Sequence, residues 1–152
     1  MPLDDVVIPE VQAVLVNSLE TVSSPLFGLL GAIRYGEQFQ VAQPPELWIL
    51  NKGGSFPEKQ GSELEQSDWT VTLKALFPWA NDQKQAEDVL GALIEPIRET
   101  FRLHLHLFTP TKVARARILN ADWSWTVVNG AIYRVVELKL AVREKVPVQF
   151  NP

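Results

Sequence analysis

Two histidines, His104 and His106, are the only ones in the chain, and their spacing decides what they can do. On a strand they share a face and could supply two ligands to a metal. On a helix they point about 200° apart and could not. No acidic residue lies within ten positions C-terminal of His106 to complete a local site. The preferred reading is therefore two histidines on a polar face, since a metal needs more ligands in a defined geometry. Gly53-Gly54-Ser55 lacks the lysine and helix start of a phosphate-binding loop, and neither Gly-x-Ser-x-Gly nor His-Glu-x-x-His occurs. Carboxylates are plentiful, but they fall on helix surfaces and in a polar loop, where solvation explains them. The chain carries no cysteine, which removes disulfides and thiolate-bound metals. No catalytic residue, cofactor site or metal site is assigned, and the expectation is a protein that is not an enzyme.

Basic residues offer a different chemistry. Lys112, Arg115 and Arg117 form a short stretch, joined further on by Arg134, Lys139, Arg143 and Lys145. They could meet DNA phosphates, or they could be a strand face paired with Glu137 and Glu144 on neighbouring strands. A net charge of -4 favours the second, because specific DNA binding needs clustered positive charge. Five tryptophans stand out. Trp48, Trp69 and Trp79 sit on or beside apolar strands, whereas Trp123 and Trp125 alternate with Ser124. Partly exposed aromatics of that kind are typical of protein–protein contact surfaces.

The elements that must position these residues can be traced from periodicity. Length, 152 residues, and a composition 46% hydrophobic and 21% charged fit one globular domain. Residues 6–23 carry a helical pattern through Val7, Val11, Val14, Leu15 and Leu19, with Pro9 suited to a first turn. Residues 24–30 read as a helix end or a buried turn. Leu47–Asn51 reads as a strand after Pro44-Pro45. Residues 51–67 combine glycine, serine, proline and charge, and predict a long mobile loop. Trp69, Val71, Leu73, Ala75 and Phe77 alternate with polar residues, which predicts a half-buried strand over Asp68–Phe77.

A helix over Asp82–Phe101 follows, with apolar positions Val89, Leu90, Leu93 and Ile97, and Pro96 predicting a kink or break near Glu95. Residues 102–108 are ambiguous between helix and strand. Lys112–Asn120 reads as a strand, with Val113, Arg115, Arg117 and Leu119 on one side. Asn129-Gly130 predicts a two-residue hairpin between Trp123–Val128 and Ala131–Arg143. The 146–152 segment is apolar, carries two prolines and reads as extended. The fold class is α+β: a mainly antiparallel sheet with one long helix packed on a face and an N-terminal helix. The Met-Pro-Leu-Asp-Asp start lacks the basic and apolar regions of a signal peptide, and no window approaches the roughly 18 apolar residues of a membrane span. Synthesis in the cytoplasm without a membrane anchor is expected.

Two stretches resemble the phage tail-terminator (tail-completion) family. One is Trp69-Thr-Val-Thr-Leu-Lys-Ala-Leu-Phe-Pro-Trp79 running into the Asp82–Phe101 helix; the other is the closing strand Gly130–Arg143. The resemblance implies a homohexameric ring in the virion, at the tail–neck junction. The ring would cap the tail tube, stop its polymerisation and join the tail to the head–neck complex. Its partners would be itself, the tail-tube protein and connector proteins, with no cofactor and with DNA passing through the lumen without specific binding. A head-completion or neck adaptor protein is the alternative, and a small-molecule-binding or enzymatic domain a further one. Lys112, Arg115 and Arg117 are candidates for the interface or lumen. Val146, Val148 and Phe150 are candidates for the interface between subunits, together with a free edge left by the long terminal strand.

Overall fold

The computed structural model describes residues 3–55, 68–79, 83–108, 110 and 112–144. The elements run α1 (Leu3–Glu20), β1 (Ala32–Tyr35), β2 (Glu46–Ser55), β3 (Asp68–Pro78), α2 (Gln83–Leu103), β4 (Val113–Val128) and β5 (Ala131–Glu144). The five strands form one sheet in the order β1-β2-β3-β5-β4. Only the β1–β2 pair is parallel, so the fold is the expected α+β class with both helices against one face of the sheet. Neither helix is long and apolar enough to cross a membrane.

The main core lies between helices and sheet. From α1 it takes Val7, Val11, Val14 and Leu15; from α2 it takes Leu90, Leu93, Ile97 and Phe101. The sheet meets them with Val71, Leu73 and Ala75 of β3 and Val136, Leu138, Leu140 and Val142 of β5. The alternation read in β3 is the alternation observed, and β5 alternates in the same way. A smaller core on the opposite face gathers Trp48, Leu76, Val128 and Val135 under Val41, Leu50 and Tyr133.

Several expectations are corrected. The N-terminal helix begins at Leu3, so Pro9 lies inside it and not in its first turn. Pro96 does not end α2, which runs through it to Leu103. Buried Leu93, Ile97 and Phe101 hold the helix to the sheet on both sides of the proline, and that burial outweighs one lost backbone hydrogen bond. The Asp82 cap lies outside the described residues. Residues 51–55 belong to β2, not to a loop: after a register shift between Ile49 and Lys52, they pair with Asp68–Val71. The rest of that predicted loop, 56–67, lies outside the described residues.

β1 has no counterpart in the sequence reading. It is four residues long and enters beside Gly31, whose amide donates to the Pro45 carbonyl at 2.8 Å. A Cβ at Gly31 would stand 1.9 Å from the Gln43 carbonyl oxygen, so only glycine fits this approach.

The two strands predicted over Lys112–Asn120 and Trp123–Val128 merge into one of 16 residues, Val113–Val128. Register shifts between Val113 and Arg115 and between Ile118 and Asn120 reset its alternation. Val113 therefore shares the buried side with Ala116, while Arg115 and Arg117 are exposed, and Lys112 precedes the strand in a turn. The Asn129-Gly130 hairpin is as expected, with φ of 50° and 78° at its two residues. The terminal strand is not at an edge. The hairpin seats β5 against β4, β3 takes its other side, and β4 becomes the edge.

Candidate interaction surface

Among the described residues β4 pairs with β5 along one side and with no strand along the other, and beyond Ile118 none of them closes that second side. A strand edge is a row of N–H and C=O groups, and an uncovered one is a template for another chain. Its N-terminal end is partly closed. The Ala116 amide donates to the Leu105 carbonyl at 2.7 Å, and His106 Nδ1 lies 3.1 Å from the Val113 carbonyl oxygen. Both contacts come from the turn that follows α2, which settles the ambiguous 102–108 stretch. His104 stacks edge-on against Phe108, with centroids 5.4 Å apart. The two histidines thus have separate contacts, and the described residues hold no cluster of three metal-ligating side chains.

Beyond Ile118 the edge is open and its side chains are apolar. Register places Trp123, Trp125 and Val127 opposite Val136, Arg134 and Ile132 of β5, all on the helix-covered face. Helix α2 reaches only the first of them: the Trp123 ring lies 3.9 Å from where a Gly91 Cβ would be. Trp125 is left 60% exposed and Val127 56%, beside half-exposed Ile132. A contiguous apolar strip on an unpaired edge is a mark of an interaction site.

The tryptophans are held in place. The Arg134 guanidinium carbon sits 5.8 Å from the Trp79 ring centroid and 5.2 Å from that of Trp123. The same guanidinium donates to the Ser124 carbonyl at 2.8 Å and pairs with Glu87 of α2 at 3.4 Å. Trp125 leans on Trp79, with centroids 6.5 Å apart. Rings fixed in this way lose little rotamer freedom when a partner covers them.

Charge marks the other half of the edge. Arg115 and Arg117 line a hollow of about 310 Å³ on the face away from the helices, with Asp68, Thr70, Leu119, Ala141 and Arg143. They also line one of about 220 Å³ on the helix side, with Arg98 and Arg102. The two side chains therefore flank the edge on both faces. Arg98, Arg102 and Arg143 are paired with Glu95, Glu99 and Asp68, the last at 3.0 Å. The hydrogen bond and charge of Asp68 raise the Arg143 pKa above its usual value. Among the described residues Arg115 and Arg117 make no ion pair. Of the candidates named from sequence, these two lie together at the edge, with Lys112 just before it. Val146, Val148 and Phe150 lie outside the described residues.

Sequence reasoning missed Glu46, whose carboxylate is fully buried. Its Oε1 accepts from Trp48 Nε1 and Arg34 Nε, each at 3.0 Å. Its Oε2 accepts from the Ala42 and Gln43 amides at 2.6 and 2.8 Å. Burial raises its pKa, but the hydrogen bonds from Trp48, Gln43 and Ala42 and the charge of Arg34 outweigh that and hold it below the usual carboxylate value. With its oxygens taken up in this way, Glu46 clamps the segment between β1 and β2. The one available signal was a charge opening the apolar run Glu46-Leu-Trp-Ile-Leu.

No family model and no curated protein matches the chain. A solved structure whose name states no activity aligns over 98% of this chain and 97% of its own, at a TM-score of 0.52 and 13% identity. At that identity the likeness shows the fold alone.

Proposed function

We propose that this chain is an assembly subunit that closes head to tail into a ring, capping a phage tail tube and joining it to the head–neck complex. The observation that carries the proposal is the outer edge of β4, open beyond Ile118 and lined by Trp123, Trp125 and Val127. Natural sheets cover, shorten or charge such edges unless another chain completes them. The opposite margin of the sheet presents different residues, Tyr35 and Phe39, both exposed. Two unlike surfaces on one subunit permit a heterologous contact, which closes into a ring when its rotation divides a full turn. The likeness of the Trp69–Trp79 and Gly130–Arg143 stretches to tail terminators supplies the tube and neck as partners. Arg115 and Arg117 flank the edge itself, so they belong to the contact between subunits and not to the wall of the lumen.

Light scattering on the purified chain, alone and with tail tubes, tests the proposal. Ring-sized particles, or rings that form only on tube tips, are expected. A chain that stays monomeric at high concentration and does not associate with tubes defeats it.

A further inference from the structure

The open edge of β4 is half of a hydrogen-bonded ladder, and the sequence beyond β5 is patterned as the other half. After Glu144 come Lys145, Val146, Pro147, Val148, Gln149 and Phe150. Val146, Val148 and Phe150 recur with a period of two, as one apolar face of a strand requires. The hydrogen-bonding direction of a strand alternates with the same period, so these three residues share a ladder side as well as a face. Pro147 has no N–H and is tolerated in a strand where that position faces away from the ladder. The residue that cannot donate thus falls on the side where no donor is needed.

The segment cannot reach Trp125 on its own chain. Register sets Glu144 opposite Val113 and Arg134 opposite Trp125, so Trp125 lies ten β5 positions from where the segment begins. Ten strand residues span about 33 Å. Phe150 is six residues past Glu144, and six extended residues reach at most about 22 Å. The near part of the edge is already taken by the Leu105 carbonyl and His106. If residues 146–150 occupy the edge at Trp125, they must come from another copy.

We propose that residues 146–150 of one copy add as a strand to the outer edge of β4 in the next copy. Val146, Val148 and Phe150 then lie along the strip formed by Trp123, Trp125 and Val127. The docking deepens the assembly proposed above and rests on it for the identity of the neighbour.

The test uses a synthetic peptide of residues 144–152, titrated into the full chain carrying Phe150→Asp, with tryptophan fluorescence as the readout. The peptide should bind and shift the emission of half-exposed Trp125. Val148→Pro in the peptide removes a ladder donor and should weaken binding about tenfold or more, roughly the worth of one or more hydrogen bonds. Gln149→Pro removes an outward amide and should change binding by less than about threefold. Equal losses from the two prolines, or no binding at all, overturn the docking. Light scattering separates the two proposals. A ring that persists with Phe150→Asp refutes the strand addition and leaves the ring standing. Assemblies that do not close, a dimer or an open chain, and that Phe150→Asp dissolves refute the ring and support the strand addition.

Discussion

At one margin the sheet ends in β1, four residues long, with the following segment folded back and fastened to the buried Glu46 carboxylate. At the other it ends in β4, 16 residues long, with indole and valine side chains open to solvent in one half and, in the other, two arginines that make no ion pair among the described residues. At the first margin the buried Glu46 carboxylate has all its partners within the chain; the exposed Tyr35 there stands at a strand end and Phe39 in the segment after it. The second leaves hydrogen-bonding, apolar and charged groups unanswered along one line. The contrast is between a short margin braced by a buried carboxylate and a long one that no strand of the described residues completes. The second is the ground for the assembly proposed above.

The largest effect should come from breaking the closed margin. Glu46→Ala strands the Trp48 indole N–H, two amides and Arg34, and should cost about 3–5 kcal/mol in urea unfolding. Assembly of the molecules that remain folded should be unaffected. The depressed Glu46 pKa adds a pH signature. Its stabilisation is complete above the unfolded value near 4.5 and is lost as pH falls through the lower folded value. Glu46→Gln should therefore flatten the stability profile below about pH 4.5. A profile unchanged by that substitution would show that Glu46 does not clamp the margin.

An intermediate effect is expected where the open margin is anchored. Arg134→Ala removes a guanidinium set between Trp79 and Trp123 and its Glu87 partner, and should cost about 1–2 kcal/mol. The indole rings should become more mobile, and fluorescence anisotropy would register it. The smallest effect on stability should accompany the largest on assembly: Trp125→Ala should shift unfolding by less than about 0.5 kcal/mol. The same substitution should abolish ring formation in light scattering. Were Trp125→Ala to destabilise the monomer as much as Glu46→Ala, the two margins would not differ in the way described.

Much of this architecture was legible because it rests on local pattern. β3 and β5 alternate, α2 carries an apolar stripe, and Asn129-Gly130 turns the chain. The parts missed rest on distant partners. β1 is defined by β2, which lies fourteen positions on at Ala32↔Glu46, and nothing in Ala-Ile-Arg-Tyr announces it. The β4 register changes twice, so a strict count by twos put Val113 with Arg115 and Arg117 on one face when it belongs with Ala116. The edge itself was assigned to β5, because being last in sequence does not determine being last in space. For the interaction surface, Arg115 and Arg117 were found by their charge and Trp123 and Trp125 by their alternation. Glu46 was missed because its role is to receive hydrogen bonds from residues up to twelve positions away.

The placement of β5 at the centre of the sheet also sets a timetable. β3 pairs along its whole length with β5, from Asp68↔Arg143 to Pro78↔Tyr133, so its side away from β2 waits for a strand that comes more than fifty positions later. The β4–β5 hairpin, by contrast, closes through a two-residue turn and can form within itself. Refolding should then proceed by early formation of the hairpin and late docking onto β3, the long loop closure being the slow step. Pulse-labelled hydrogen exchange should find β4–β5 amides protected before those of β3, and the reverse order would contradict this timetable. During synthesis the chain must emerge through β5 before the sheet can be completed, which leaves one side of β3 dependent on prompt arrival of its neighbour.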